Sequence, residues 1–479
     1  MKTNYSYLLL LFFWLFLSLP SFAQKEKTAL NTFLQSAALK QAGVSLSVWN
    51  LTEGKPFLSH NEQLSLVPAS LTKLISTAAA LDYLGENFQL YTPVYYSGNI
   101  SSEGVLTGDL IIEGRNDPSF GSQFSEVSPE LISTSLLKQL NEIGIKSVRG
   151  QIIVDDLSFR KSPLFSPKWM WEDLGNYYAP GVYGISFMDN SYELTIRSGT
   201  KNEPAKITKI HPPMNDLVFE NQIQITNTQN NDVFINGIPY STGRMLNGSL
   251  KENQTTYRCK GEIPDPALFL ARWLTAQLKA SRIPVSGEPI TTRIQAQTKS
   301  AGTKTQAPLR KRLTDFKSPE LKELIKVINY RSNNHYAEHL LTLFEKESGL
   351  TPNEYWQAKG MDTSGQFLYD GSGLSPANAL STHYLTSILT YMRQSKYSES
   401  FYRSLPIAGR EGTVASFLKS TTLEGKARIK SGSMSNVQAY AGYIEHEGKS
   451  YAFALIVTNY TDSRAALRKQ MERLLCGLF

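Results

Sequence analysis

A serine three positions before a lysine, placed on a helix, puts a hydroxyl and an amine on one face about a turn apart. An amine held there without its proton can take the hydroxyl proton and make the serine a nucleophile. The pattern starts at Ser70, Ser135, Ser158, Ser198 and Ser416. Only Ser70-Leu71-Thr72-Lys73 opens a strongly apolar run, with Pro68 in position for a first helical turn. At a helix start the dipole and the free backbone N–H groups favour developing negative charge. At the other four positions a solvated lysine beside a serine is the simpler reading.

Two more groups bear on the same chemistry. Lys430-Ser431-Gly432 precedes an apolar strand that starts at Val437. A cation, a hydroxyl and a glycine on an edge strand can bind a carboxylate, and Gly432 leaves room for a substrate backbone to lie alongside. Alone, the tripeptide is equally an ordinary turn before a strand. Ser332-Asn333-Asn334 interrupts a helical stretch over 321–347 with polar residues that helix interiors disfavour. Alone, it reads as a break between two helices, and Ser97-Gly98-Asn99 repeats its pattern elsewhere. His335-Tyr336-Ala337-Glu338-His339 fits a zinc-protease pattern, with both histidines on one helix face. No third ligand stands out, so the expectation is an ordinary helix and no metal.

The elements that must position these groups fall into a helical start, a β-rich middle and a helical end. A helix is expected over 27–41, a half-buried strand over 44–50 and a buried helix over 67–84. Short β-like stretches follow at 105–113 and 150–154, and 193–257 is the most β-rich and polar part. Helix returns at 266–280, and a polar passage over 295–312 reads as an edge strand or connector. Helices over 319–347 and 381–393, strands over 437–445 and 450–459, and a final amphipathic helix over 462–475 complete the chain. Helical ends around a β-rich middle suggest one domain split by a large insertion.

Length and composition bound the rest. The 479 residues, 41% of them hydrophobic, are enough for about three domains. Two cysteines, Cys259 and Cys476, exclude a disulfide-stapled miniprotein and a thiolate-rich metal cluster, and six histidines leave little for a multi-histidine centre. The two thiols can pair only if the fold brings them within reach. The formal charge of +7 comes from interspersed basic and acidic residues, a mildly basic surface and no nucleic-acid stripe. Lys2, an apolar run over 8–17 and Ser21-Phe22-Ala23 form an export signal with a cut expected after Ala23. The run is too short to anchor the chain across a bilayer, so an exported chain with no stable membrane span is expected.

Ser70-x-x-Lys73, Ser332-x-Asn334 and Lys430-Ser431-Gly432, in that order, resemble the penicillin-recognising serine enzymes. The segments NYRSNNHYAEHL, DGSGLS, GREGT and KSGSMSNVQAYAGYI narrow the resemblance to the D-alanyl-D-alanine carboxypeptidase/endopeptidase family of low-molecular-mass, class C penicillin-binding proteins. The 262 positions from Ser70 to Ser332 fit, because that family carries two domains inserted between its first two motifs. GDLIIEGRNDPSF, VDDLSF and PKWMWED resemble the first of these.

The resemblance implies an α/β (α+β) fold. After a signal peptide, 1–23, a transpeptidase-like domain would comprise 24–95 and 295–479, an inserted domain 96–190 and 258–294, and a nested β-rich domain 191–257. It implies a serine-type D-Ala-D-Ala carboxypeptidase, or DD-endopeptidase, that acts on peptidoglycan stem peptides without a cofactor and is acylated by β-lactams. Ser70 would be the nucleophile, Lys73 the general base and Ser332 the proton relay to the leaving amine. Asn334 would orient Lys73 and the substrate amide. Lys430 would lower the pKa of Lys73 and, with Ser431, hold the substrate carboxylate. The N–H groups of Ser70 and Ser433 would form the oxyanion hole, and Asp155 would meet the amine of a diaminopimelate side chain. Many relatives carry Asp in place of Asn333 and Thr in place of Ser431; both changes keep the essential groups. The alternatives within this resemblance are a β-lactamase and a catalytically silent wall-binding scaffold.

Overall fold

The computed structural model describes residues 22–160, 165–201, 203–227, 231–298 and 309–479. The signal segment up to residue 21, Lys161 and residues 299–308 of the polar passage lie outside the described residues.

The central sheet has five antiparallel strands in the spatial order Ala427–Met434, Val437–His446, Lys449–Thr458, Gly43–Asn50 and Lys55–His60. The first strand after the N-terminus therefore pairs with the last hairpin, which places both ends of the chain on one scaffold. The middle strands are buried at nearly every residue because helices cover both faces. On one face pack Thr72–Leu84, Leu321–Arg331, Asn334–Ser348 and Thr382–Gln394. On the other pack the terminal helices Phe22–Leu34 and Arg464–Leu478. Thr72–Leu84 is buried on every residue from Thr72 to Leu81, and the polar ones among them, Thr72, Lys73, Ser76 and Thr77, are all hydrogen-bonded.

A second five-stranded sheet runs in the order Ile290–Thr291, Ile152–Asp155, Leu110–Glu113, Tyr91–Ser97 and Arg310–Lys317, with its own core against Pro129–Glu142 and Pro266–Ala280. Tyr91–Ser97 pairs antiparallel with Arg310–Lys317, so this sheet continues across both expected boundaries, at 95/96 and 294/295. The chain enters and leaves it side by side. The Leu90 N–H donates to Ser318 Oγ at 2.9 Å, and the Ser318 N–H donates to the Leu90 carbonyl at 2.9 Å. Two small sheets built from 191–262 share a third core around Tyr192, Leu194, Leu246 and Ile263.

Local differences from the sequence reading have simple causes. The first helix spans Phe22–Leu34 and is followed by a short 3₁₀ turn, not one helix to 41. The expected signal cut falls inside its first turn. The helical stretch before 348 is two helices. Of the described residues in 295–312, those up to Thr298 belong to the helix Thr292–Thr298 and those from Arg310 to an edge strand. Cys259 and Cys476 are free and belong to different cores, so they do not pair. No helix among the described residues is long and apolar enough to cross a membrane.

Candidate active site

Ser70 lies in a 3₁₀ turn, Ala69–Leu71, that runs directly into the helix Thr72–Leu84. Lys73 is in the first helical turn and completely buried. Its Nζ donates to Ser70 Oγ at 3.0 Å, to Asn334 Oδ1 at 2.7 Å and to the Ser372 carbonyl at 2.5 Å. Three acceptors fix the amine where it meets the serine hydroxyl. Burial pushes its pKa down to about 7, against the opposing pull of Asp370 and Glu338. A large fraction of the amine is thus without its proton near neutral pH, as a base requires.

The break in the helical stretch is what presents the next two residues. Leu321–Arg331 ends on Ser332, which is left-handed at φ 53° and ψ 40°. Asn333 caps the following helix by accepting the Tyr336 N–H at 3.0 Å. The break and the functional motif are the same feature, and Asn333 serves it as a cap. Asn334 accepts from Lys73 and donates its amide to the Tyr178 carbonyl at 2.7 Å. Its orienting of Lys73 is visible, while its other end is tied to the inserted segment.

The strand Ala427–Met434 is the edge of the central sheet. Backbone groups on an edge alternate between the neighbouring strand and the open side. Ile429 donates outward to the Pro406 carbonyl, and the Ala427 carbonyl accepts from Ala408. Ser431 and Ser433, in the same phase, therefore turn their N–H groups to the open side, beside Ser70. Gly432 also lies against the nucleophile turn. A Cβ there would lie 2.7 Å from the Pro68 carbonyl oxygen and 3.1 Å from the Ser70 nitrogen, so the glycine admits the nucleophile turn itself. Ser431 Oγ donates to Thr413 Oγ1 at 2.7 Å.

Lys430 is completely buried, and its Nζ donates to Ser332 Oγ at 2.9 Å and to the Ser431 carbonyl at 2.7 Å. Burial, reinforced by Lys73, holds its pKa well below the lysine range. Burial is the largest cause of the low pKa of Lys73, and the repulsion between the two neighbouring amines disfavours charge on both. Ser70, Lys73, Asn334, Ser332 and Lys430 nonetheless form one cluster from three distant parts of the chain.

Asp155 does not join them. It is buried at the end of its strand, accepting from Arg310 at 2.9 Å and from Thr292 at 3.1 Å, and the groove around Ser70 is lined by other residues. Its carboxylate is thus paired within its own sheet, apart from the cluster around Ser70. Asp156 beside it is held by Thr292 and the Arg293 N–H.

The turn 370–375 supplies what motif reasoning left without a role. Its Ser372 carbonyl holds Lys73, and the turn is itself shaped by two buried carboxylates. Asp370 accepts from Gly373 at 2.7 Å, Ser375 at 2.6 Å, Asn378 at 2.8 Å and the Trp169 indole at 2.8 Å. Glu338 accepts from the N–H groups of Gly371 at 3.1 Å and Ser372 at 2.8 Å, and burial together with Asp370 raises its pKa. Glu338 is therefore committed to the site and not to the flanking histidines. His339 is bonded to Ser186 and contacts the Asn116 carbonyl, and burial keeps His335 neutral. No three His, Cys, Asp or Glu among the described residues converge on a metal site. Trp169 and Tyr178 show how the insertion serves the centre: its segment braces both the turn and Asn334.

The arrangement has a buried amine on a hydroxyl, a second lysine–serine pair and two amides on an open edge. The chain is similar to known proteins over most of its length. The chain is 24% identical over 462 residues to a D-alanyl-D-alanine carboxypeptidase DacB of Haemophilus influenzae, covering 93% of this chain and 90% of the relative. It is 24% identical over 447 residues to a D-alanyl-D-alanine carboxypeptidase of an Actinomadura species, covering 89% and 80%. The crystal structure of penicillin binding protein 4 (dacB) of H. influenzae superposes with a TM-score of 0.77 at 22% identity, covering 93% of this chain and 98% of that one, and so shares the fold. The family model for D-Ala-D-Ala carboxypeptidase 3 (S13) matches residues 26–476, and the chain belongs to that family.

Proposed function

We propose that this protein is a serine-type D-Ala-D-Ala carboxypeptidase in which Ser70 attacks the carbonyl between the two D-alanines. Lys73 takes the Ser70 proton as the bond forms. The oxyanion is held by the N–H groups of Ser70 and Ser433. Ser332, bonded to Lys430, gives its proton to the departing amine and takes in its place the one that Lys73 removed from Ser70, and D-alanine leaves. Water then attacks the ester; Lys73 takes a proton from it and gives it to Ser70 Oγ as the acyl–oxygen bond breaks, leaving the acid and the free serine. The observation that carries this reading is the 3.0 Å contact of Ser70 Oγ with a buried amine whose pKa lies at about 7.

The same ester forms when a β-lactam ring opens on Ser70, so penicillins acylate the enzyme. The substrate is the stem peptide of peptidoglycan. The start of the sequence, with its charged residue, apolar run and small-residue cut, supports export to the wall. The pairing of Tyr91–Ser97 with Arg310–Lys317 favours inserted-domain junctions near Leu90 and Ser318, wider than the sequence reading. Release of D-alanine from a diacyl-Lys-D-Ala-D-Ala peptide tests the assignment. Ser70→Ala should abolish it, and a variant that still turns over at more than about a thousandth of wild type would exclude Ser70 as nucleophile.

A further inference from the structure

A carboxypeptidase must recognise the free carboxylate of the residue it releases, and in this protein Lys430 is poorly placed to do so. Its ammonium is enclosed and already spent on Ser332 and Ser431. We propose that Arg464 and Arg468 of the C-terminal helix supply the positive charge that recognises this carboxylate. The inference rests on the carboxypeptidase reading above.

The groove that holds Ser70 and Ser332 is also lined by Ser431, Ser433, Arg464 and Arg468. Four positions apart, the two arginines project from one face of Arg464–Leu478. Arg464 is exposed and donates to the Met434 carbonyl at 3.0 Å, which pins its guanidinium at the end of the strand bearing Ser431 and Ser433. No carboxylate of the described residues forms an ion pair with it. Arg468 donates to Ser416 Oγ at 2.9 Å, and its Nε stands 3.9 Å from Glu472 Oε1. That oxygen also accepts the Leu418 N–H at 3.0 Å, so Glu472 offsets Arg468 only in part. Tyr440, stacked on Phe417 at 3.7 Å between ring centres, is also part of the lining. Burial raises its hydroxyl pKa, and both guanidiniums pull the other way, which places the two charges around one spot. A guanidinium fork matches a carboxylate better than an ammonium does.

Two peptides that differ only at the C-terminus test this: acyl-Lys-D-Ala-D-Ala as the free acid and as the carboxamide. The readout is the acid/amide ratio of kcat/KM for wild type, Arg464→Gln, Arg468→Gln and the double variant. The double variant should lose about tenfold or more of the preference for the acid, the worth of a charge-assisted hydrogen bond. Arg464→Lys, which keeps the charge, should retain part of it. An unchanged ratio in the double variant, or an equal fall on both peptides, would overturn the inference and leave the nucleophile assignment intact. Cleavage of neither peptide by wild type overturns the carboxypeptidase reading, and this inference with it.

Discussion

Lys73→Met is expected to lower kcat/KM for D-alanine release by about 10³-fold or more, the scale on which a positioned general base acts. Methionine keeps much of the bulk of the buried stem and removes the amine that meets Ser70 at 3.0 Å. The wild-type enzyme carries a second signature of the same group. Its amine titrates at about 7, so the base form is depleted below that pH and complete above it. The acylation rate should climb through pH 7 and level off on the alkaline side. Stopped-flow acylation across pH 5 to 9 checks this. A rate that is flat through neutrality, or one that falls as pH rises, contradicts Lys73 as the base.

The second large effect comes from a residue with no side chain. Gly373 adopts φ +77°, and a Cβ there would lie 1.9 Å from the Ala69 carbonyl oxygen and 2.8 Å from Thr72 Oγ1. Ala69 is itself left-handed at φ 47°, so the turn carrying Ser70 has little room to yield. Gly373→Ala should cost about 2–4 kcal/mol in stability, from the left-handed conformation and the overlap together. It should also displace Ser70 and reduce acylation far more than the loss of folded protein explains. Gly360→Ala is the control: φ is +86°, but nothing lies within 4 Å, so only the backbone strain is felt. Thermal melts beside acylation rates of the folded fraction compare the two. Equal effects of the two substitutions would show that the packing of the 370–375 turn on Ala69 is unimportant.

How much of this centre the sequence disclosed follows from what each group is made of. Ser70, Lys73, Ser332, Asn334 and Lys430 act through side chains at short fixed spacings, so their patterns could be read before the fold was known. Ser372 acts through its carbonyl, which leaves no trace in residue identity. Glu338 was hidden inside a metal-like pattern, although it lies four positions after Asn334 on the same helix and could have been placed on the same face. Gly432 was read as a close approach; its contact with residues 68–71 was hidden, because nothing local indicates that they return to that strand. Asp155 was matched by position alone; its ion pair with Arg310 depends on strand pairing across more than 150 residues. The same strand carries the pairing that crosses the expected boundaries. Arg310–Lys317 is a polar edge strand with only one fully buried residue, and such a strand shows little of the alternation that reveals others. Arg464 and Arg468 were visible only as the polar face of an amphipathic helix.

Whether Ser70 becomes acylated is the point on which the rest depends. The direct measurement is the intact mass of the protein after incubation with benzylpenicillin, for wild type, Ser70→Ala and Ser135→Ala. Ser135 begins another Ser-x-x-Lys, on the helix Pro129–Glu142 away from the cluster. The account predicts a single drug-sized adduct on wild type and on Ser135→Ala that persists well beyond mixing, and none on Ser70→Ala. An adduct that survives in Ser70→Ala, or a wild-type protein that stays unmodified, whether the drug remains intact or is consumed, would contradict it.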